Sequence, residues 1–396
     1  MKILQICPRM PYPPHDGGAI AMYDVTSNLA AEGHEVTVLA INTPKHFQSP
    51  EVLEDVATVC AVPVNTNLSA LNACKNLFRE IPYNIERFVS LAVEARLIEL
   101  LQTEKFDIIQ VEGLFVAWYV DVVKKYSNAP VIMRSHNVES VIWKRLAAGE
   151  KNPVKKLYLK YLANGIEKFE KTYLNKFDGI AAITEEDKNR MFDLGCKVPI
   201  EFIPAGVELS RFVADPAIEA KPATLFVISS LNWLPNLEGI EWFLENVWKR
   251  VAKTLPELEL HIAGKSPPEH LLKLHLPNVF VHGFVPSAAE FMQQYDLMLV
   301  PLLSGGGMRI KIIEGMALGK CIVTTKVGAE GIFCENGKDI LISDQPQDWV
   351  NYITDYYEGR LPAKTVGENA QKLATQVYDN KRIIRKFLNF YEKLKA

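Results

Sequence analysis

Short apolar runs alternate with amphipathic segments along almost the whole chain. Residues 3–7 form a nearly continuous apolar run and predict a buried strand. Residues 19–32 place Met22, Val25 and Leu29 at helical spacing, with Gly33 as a stop, and predict a helix. Further buried strands are predicted over 35–41, 106–111, 130–134 and 178–183. Apolar strands separated by helices imply a parallel sheet covered on both faces. The pattern shifts after Ile203-Pro204-Ala205-Gly206, and a polar, proline-containing stretch follows to Pro222. A second series then begins, with strands over 224–229, 258–263, 279–282, 297–301, 321–325 and 340–343 and a helix over 236–254. The expectation is an α/β chain of two doubly wound, Rossmann-like domains, 1–215 and 216–376. From 379 on, Ile383, Ile384, Phe387, Leu388, Tyr391 and Leu394 make the apolar stripe of a basic helix. That helix, spanning about 377–396, is expected to pack back on the first domain.

The length of 396 residues fits two domains better than one. A formal net charge of -3 argues against a dedicated nucleic-acid binder. Cysteines stand at 7, 60, 74, 196, 321 and 334 without C-x-x-C spacing, so neither a zinc site nor a dithiol motif is indicated. No apolar run approaches the ~20 residues of a membrane helix, and the first apolar run is too short for a signal core. A cytoplasmic protein is the expectation, with attachment at the inner membrane face left open. The opening for attachment is the lysine-rich stretch formed by Lys144 and the lysines at 151, 155, 156, 160, 168, 171 and 176. Tyr158, Leu162, Ile166, Phe169 and Tyr173 give it a core-facing stripe. Its other face reads either as a solvated surface or as a site for anionic lipid.

Ligands of doubly wound folds bind at the carboxyl ends of the strands. The first strand runs through Pro-rich sequence to Gly17-Gly18 and a helix, a start that leaves backbone amides open to a ligand. The strand near 297–301 runs into Ser304-Gly305-Gly306-Gly307-Met308-Arg309-Ile310-Lys311, with Glu314 inside the helix that follows. Free amides at a helix start, with the helix dipole, Arg309 and Lys311, suit a diphosphate. A carboxylate at Glu314 suits a ribose diol.

This second segment resembles the donor-binding motif of retaining glycosyltransferase family 4, of the two-domain GT-B fold. That motif has two glutamates separated by seven residues. Glu314-Gly315-Met316-Ala317 matches the second, while the first falls on Gly306, so the chain resembles a variant subfamily. Other segments match in order: Gly33-His34-Glu35-Val36, Ile183-Thr184, Ile203-Pro204-Ala205-Gly206-Val207 with Phe212, His261-Ile262-Ala263-Gly264, and His282-Gly283. Arg134-Ser135-His136-Asn137-Val138-Glu139 resembles the family's acceptor-side His-Asn-x-Glu segment. Ser229-Ser230-Leu231-Asn232-Trp233 lacks the Gly-Arg and the later lysine that bind diphosphate in many relatives, which leaves Arg309, Lys311 or Lys265 to supply the charge.

The resemblance implies a hexosyltransferase-type enzyme that takes a nucleotide-sugar donor and a saccharide or lipid-linked acceptor. It implies retention of configuration, no cofactor and no metal. It implies His136, Arg309 and Lys311 in catalysis. Donor contacts would come from Gly17, Gly18, Ser230, Lys265, Gly305, Gly306, Gly307, Met308 and Glu314. Glu112, Asn137 and Glu139 would lie on the acceptor side. A sugar-nucleotide epimerase of the same fold and a non-catalytic nucleotide-sugar binder are the alternatives.

Overall fold

A computed structural model describes residues 1–14, 17–77, 79–215, 217–305 and 308–395. The chain forms two compact units, Met1–Ala205 with Ile383–Ala396, and Gly206–Arg382.

The first unit holds a parallel sheet of β1 (Lys2–Cys7), β2 (Glu35–Asn42), β3 (Thr58–Pro63), β4 (Ile108–Glu112), β5 (Val131–Ser135), β6 (Gly179–Ala182) and β7 (Ile200–Phe202), in the order β3-β2-β1-β4-β5-β6-β7. Alternate residues of the central strands feed two cores. Leu4, Ile6, Ile109 and Val111 enter one, and Ile3, Ile108, Ile132 and Ala181 enter the other. That explains the unbroken apolar runs: these strands are covered on both faces. The helix α1 (Gly17–Ala31) contributes Met22, Val25 and Leu29 to the second core. In the first unit the helices α2 (Ala70–Asn76), α3 (Glu139–Gly149) and α4 (Pro153–Tyr173) follow, and α4 buries Ile166, Phe169 and Tyr173 in the first core. The edge strands β3 and β7 were not expected from sequence; β3 is half exposed and β7 has only 3 residues, so neither shows a long apolar run.

The second unit holds β8 (Lys221–Ile228), β9 (Glu259–Ala263), β10 (Val279–Gly283), β11 (Tyr295–Val300), β12 (Ile322–Thr324) and β13 (Leu341–Ile342), all parallel, in the order β10-β9-β8-β11-β12-β13. The helix predicted over 236–254 is three pieces: α5 (Leu234–Phe243), a π-helical turn over Leu244–Trp248, and Lys249–Thr254. The wide turn shifts the register so that Leu244, Val247, Trp248 and Val251 all reach the core. Among the unit's further helices are α6 (Ile310–Ala317) and α7 (Ala363–Val377). Gly367 of α7 lets them meet, because a Cβ there would stand 2.0 Å from the Gly319 carbonyl oxygen.

Compactness divides the chain at Ala205/Gly206, upstream of the 215 expected from composition. Backbone pairing is the reason: the Val207 amide donates to the Tyr378 carbonyl at 2.8 Å, and the Asn380 amide donates to the Val207 carbonyl at 3.2 Å. The last helix, α8 (Asn380–Lys395), contributes Ile383, Ile384, Phe387, Phe390 and Tyr391 to the second core of the first unit. It joins that unit at Ile383 rather than at 377. Gly179 makes room for it, since a Cβ there would lie 2.6 Å from Phe390 Cζ and 2.7 Å from Leu394 Cδ1. Gly179→Val is therefore expected to destabilise the first unit by about 1–3 kcal/mol through overpacking, read as an earlier thermal unfolding transition. An unchanged transition would show that α8 does not pack on β6 as described.

Candidate active site

In the first unit β1 has β2 on one side and β4 on the other, so the winding reverses there. Open α/β sheets bind ligands in the crevice at such a switch point, outside the strands' carboxyl ends. A cavity of about 550 Å³ occupies that place, lined by Arg9, Gly18, Lys45, Glu112, His136 and Glu139 among others.

Glu112, the last residue of β4, is fully buried at the cavity wall. Its Oε1 accepts from Gln5 Nε2 at 2.7 Å and from Gln110 Nε2 at 2.5 Å. Its Oε2 lies 2.8 Å from His136 Nε2. Each glutamine is oriented in turn: Thr26 Oγ1 donates to Gln5 Oε1 at 2.6 Å, and the Tyr391 hydroxyl of α8 donates to Gln110 Oε1. Burial alone would push the Glu112 carboxyl up. The His136 hydrogen bond, the charges of His136 and Arg134, and the Gln5 amide outweigh it and hold Glu112 below the usual carboxylate range. An ionised carboxylate only accepts hydrogen bonds, so His136 Nε2 carries the hydrogen of this bond. Gly113, at φ +88°, turns the chain beside this ring; a Cβ there would touch His136 Cδ2 at 3.4 Å.

Arg134 pairs across the ladder with Glu112 and is also buried. Its guanidinium donates to the Ile203 and Pro204 carbonyls, both at 3.3 Å, and lies 4.6 Å from the Phe387 ring centroid. Glu139, at the start of α3, is pushed up to about 7, first by burial and then by the charge of Glu170 on α4; hydrogen bonds from Asn137 and Trp143 oppose the shift. Burial likewise pushes Glu170 up to about 7, against hydrogen bonds from Ser140. Both carboxyls are thus shifted toward their neutral forms, Glu139 in part by the charge of Glu170.

In the second unit β8 lies between β9 and β11, again a switch point. The chain leaves β11 through Pro301 and reaches Gly305 at φ +117°. A Cβ on Gly305 would stand 3.0 Å from Trp233 Cη2 and 3.1 Å from Arg309 Nη2. Trp233, from the loop after β8, thus lies against this turn, with the Arg309 guanidinium 5.8 Å from its ring centroid. Arg309 is the N-cap of α6, and its own side chain does not cap that helix start. Lys311 Nζ stands 2.7 Å from Oε2 of the buried Glu314. Gly315 seats α6 on β11, because a Cβ there would lie 2.4 Å from Met298 Sδ. Beside the turn, the Leu231 amide donates to the Lys265 carbonyl at 3.0 Å, and Ser229 Oγ is buried without a partner among the described residues.

Of the residues expected from sequence, Gly18, Glu112, His136, Asn137 and Glu139 line one cavity. Gly17 opens α1 and is exposed. Gly305, Met308, Arg309, Lys311 and Glu314 form one loop and helix start, with Ser230 and the exposed Lys265 on the adjoining loops. Gly306 and Gly307 lie outside the described residues. Lys311, expected as a phosphate cation, is held by Glu314 in this structure. Sequence reading missed Gln5, Gln110, Tyr391, Glu170, Ser229 and Trp233 as parts of these clusters. A signal existed for the glutamines, each a lone amide inside an otherwise apolar strand run.

Comparisons with known proteins follow the same division. The family described as Glycosyltransferase Family 4 matches residues 15–211, and Glycosyl transferases group 1 matches residues 222–358. An uncharacterised 44.6 kDa protein in the cps region of Klebsiella pneumoniae is 23% identical over 405 residues, covering 96% of this chain and 97% of that protein. An uncharacterised glycosyltransferase of Methanocaldococcus jannaschii is 21% identical, covering 97% and 96%. Among solved structures, Anabaena HepE in complex with UDP superposes with a TM-score of 0.70 at 16% identity, covering 99% of this chain and 100% of that one. Sucrose-phosphate synthase of Thermosynechococcus elongatus superposes with a TM-score of 0.69 at 15% identity, covering 100% and 99%. With two Rossmann-like units, a family 4 match over the first and a group 1 match over the second, the chain belongs to the glycosyltransferases of GT-B fold.

Proposed function

We propose that this protein transfers a sugar from a nucleotide-sugar donor to a hydroxyl of a saccharide or lipid-linked acceptor, with retention of configuration and without a metal. The observation that carries the reading is the start of α6, where a glycine turn, an uncapped helix N-terminus and Arg309 coincide. Unpaired amides at the positive end of a helix dipole attract a diphosphate. Lys311 adds a second cation once the phosphates draw it from Glu314. Glu314 is then free to accept from the two ribose hydroxyls. Trp233 offers an aromatic wall to the nucleotide. HepE was solved with UDP and with UDP-glucose, so a uridine nucleotide is the first donor to test.

In the first unit, the cavity takes the acceptor, and His136, fixed by Glu112, hydrogen-bonds the transferred sugar. Glu112 already accepts from both glutamines and faces His136, so it is not a free nucleophile. Glu139 is shifted toward its neutral form. Both features favour same-face attack over a covalent sugar–carboxylate intermediate. The acceptor oxygen bonds the anomeric carbon as the bond to the diphosphate breaks, and the acceptor proton passes to the departing phosphate oxygen. Amides, helix dipole and Arg309 stabilise the charge that builds on the leaving group.

A thermal-shift series with UDP-, GDP- and ADP-sugars identifies the donor, which should raise the melting temperature by mass action. Glu314→Ala is expected to weaken binding of that nucleotide about tenfold or more, the loss of hydrogen bonds to a charged group. Arg309→Ala is expected to cut kcat about a hundredfold or more with a smaller change in binding. If both variants bind and turn over like the wild type, the assignment fails.

The carboxyl pair generates a pH test. Glu139 and Glu170 hold their protons to about pH 7 in the fold, against about 4.3 unfolded. Native stability should therefore fall as pH rises through 7, because the unfolded chain gives up these protons first. Glu170→Gln removes the repulsion and should flatten the decline, by about 1 kcal/mol or more between pH 5.5 and 8. Parallel stability curves for variant and wild type would show that Glu170 is not held protonated in the fold.

A further inference from the structure

The lysine-rich stretch keeps a face that the proposed chemistry does not use. Along α4, Leu162, Ile166, Phe169 and Tyr173 are buried, whereas Val154 and Leu157 are 78% and 71% exposed. Tyr161 continues the exposed line at helical spacing, and its hydroxyl donates to the Leu77 carbonyl at 2.9 Å. That bond brings the segment leaving α2 against α4, and α2 itself carries Leu71, 65% exposed. Val154, Leu157 and Tyr161 therefore make an exposed apolar line on α4, with Leu77 beside Tyr161 and a further exposed leucine, Leu71, on α2.

Lysines surround it. Lys155 is paired with Glu150, and Lys144 and Lys171 with Glu167. Lys151, Lys160 and Lys168 have no acidic partner among the described residues, and all three are exposed. No helix among the described residues is long and apolar enough to cross a membrane. We infer that this face of the first unit docks on an anionic lipid surface, its apolar side chains entering the headgroup boundary and its lysines meeting lipid phosphates. Apolar side chains rimmed by cations are what such a surface binds. A second copy of this chain is a poorer occupant, because it would set lysine against lysine. Leu68, just before α2, lines the cavity described above, so docking would hold the cavity's rim near the headgroups. The inference goes beyond the proposed reaction and does not depend on it.

The experiment is cosedimentation of the full chain with vesicles of phosphatidylcholine alone and of equal parts phosphatidylcholine and phosphatidylglycerol. The wild type should partition onto the mixed vesicles only, and release as salt rises. Replacing Lys151, Lys160 and Lys168 together with alanine should weaken partition on the order of a hundredfold, at about fivefold per lysine. Val154→Ser with Leu157→Ser should weaken it about tenfold or more. All five positions are exposed, so thermal unfolding of both variants should match the wild type. A wild type that stays in the supernatant, equal partition onto neutral and anionic vesicles, or variants that bind like the wild type would overturn the inference. Because the readout is partition, it is separate from any failure to find sugar transfer.

Discussion

A strand covered on both faces has no water along it, so each polar group there must find a partner in the chain or be left for a ligand. Both units obey this constraint, with opposite outcomes at their switch points. In the first, the end of β4 is closed: Gln5, Gln110 and His136 surround the Glu112 carboxylate, and Thr26 and Tyr391 fix the glutamines. In the second, the Arg309 side chain leaves the start of α6 uncapped, and Ser229 Oγ at the end of β8 is buried without a partner among the described residues. A closed network orients a side chain, whereas an open helix start receives an anion. The division of labour proposed between the units rests on that difference.

The closed network also draws in α8. Tyr391 of α8 reaches Gln110, and Phe387 lies beneath Arg134, so the last helix supports the carboxylate that holds His136. Arg134 is a buried cation, drawn down by burial and sustained chiefly by the charge of Glu112. A helix that served only to cover apolar surface would not need a hydroxyl at 391. Its docking and the geometry of the cavity wall are one problem, and the missing side chain of Gly179 is part of the solution.

The central strands were legible because burial on both faces writes a continuous apolar run into the sequence. Of the edge strands, β10 and β13 carry enough apolar residues to be read, whereas the half-exposed β3 and the 3-residue β7 do not. The π-turn at Leu244–Trp248 was also invisible, since one extra residue in a helix alters spacing too little to notice. Composition marks the polar stretch near 215, which falls between the two family matches, while backbone pairing of Val207 with Tyr378 and Asn380 draws the division by compactness to Ala205/Gly206. At the site, glycines, cations and a glutamate crowded into one helix start announced themselves. The bond from Glu112 to His136 did not, since it joins the ends of β4 and the loop after β5, and only the fold makes those neighbours. Trp233 was quoted in sequence without a role; its place against Gly305 is a tertiary fact.

Crystals soaked with the nucleoside diphosphate of the stabilising sugar nucleotide would test the account most directly. It predicts phosphate density against the Gly305–Arg309 turn, within hydrogen-bonding distance of the first amides of α6, and ribose hydroxyls on Glu314. Phosphates bound anywhere else, with that helix start still vacant, would contradict it.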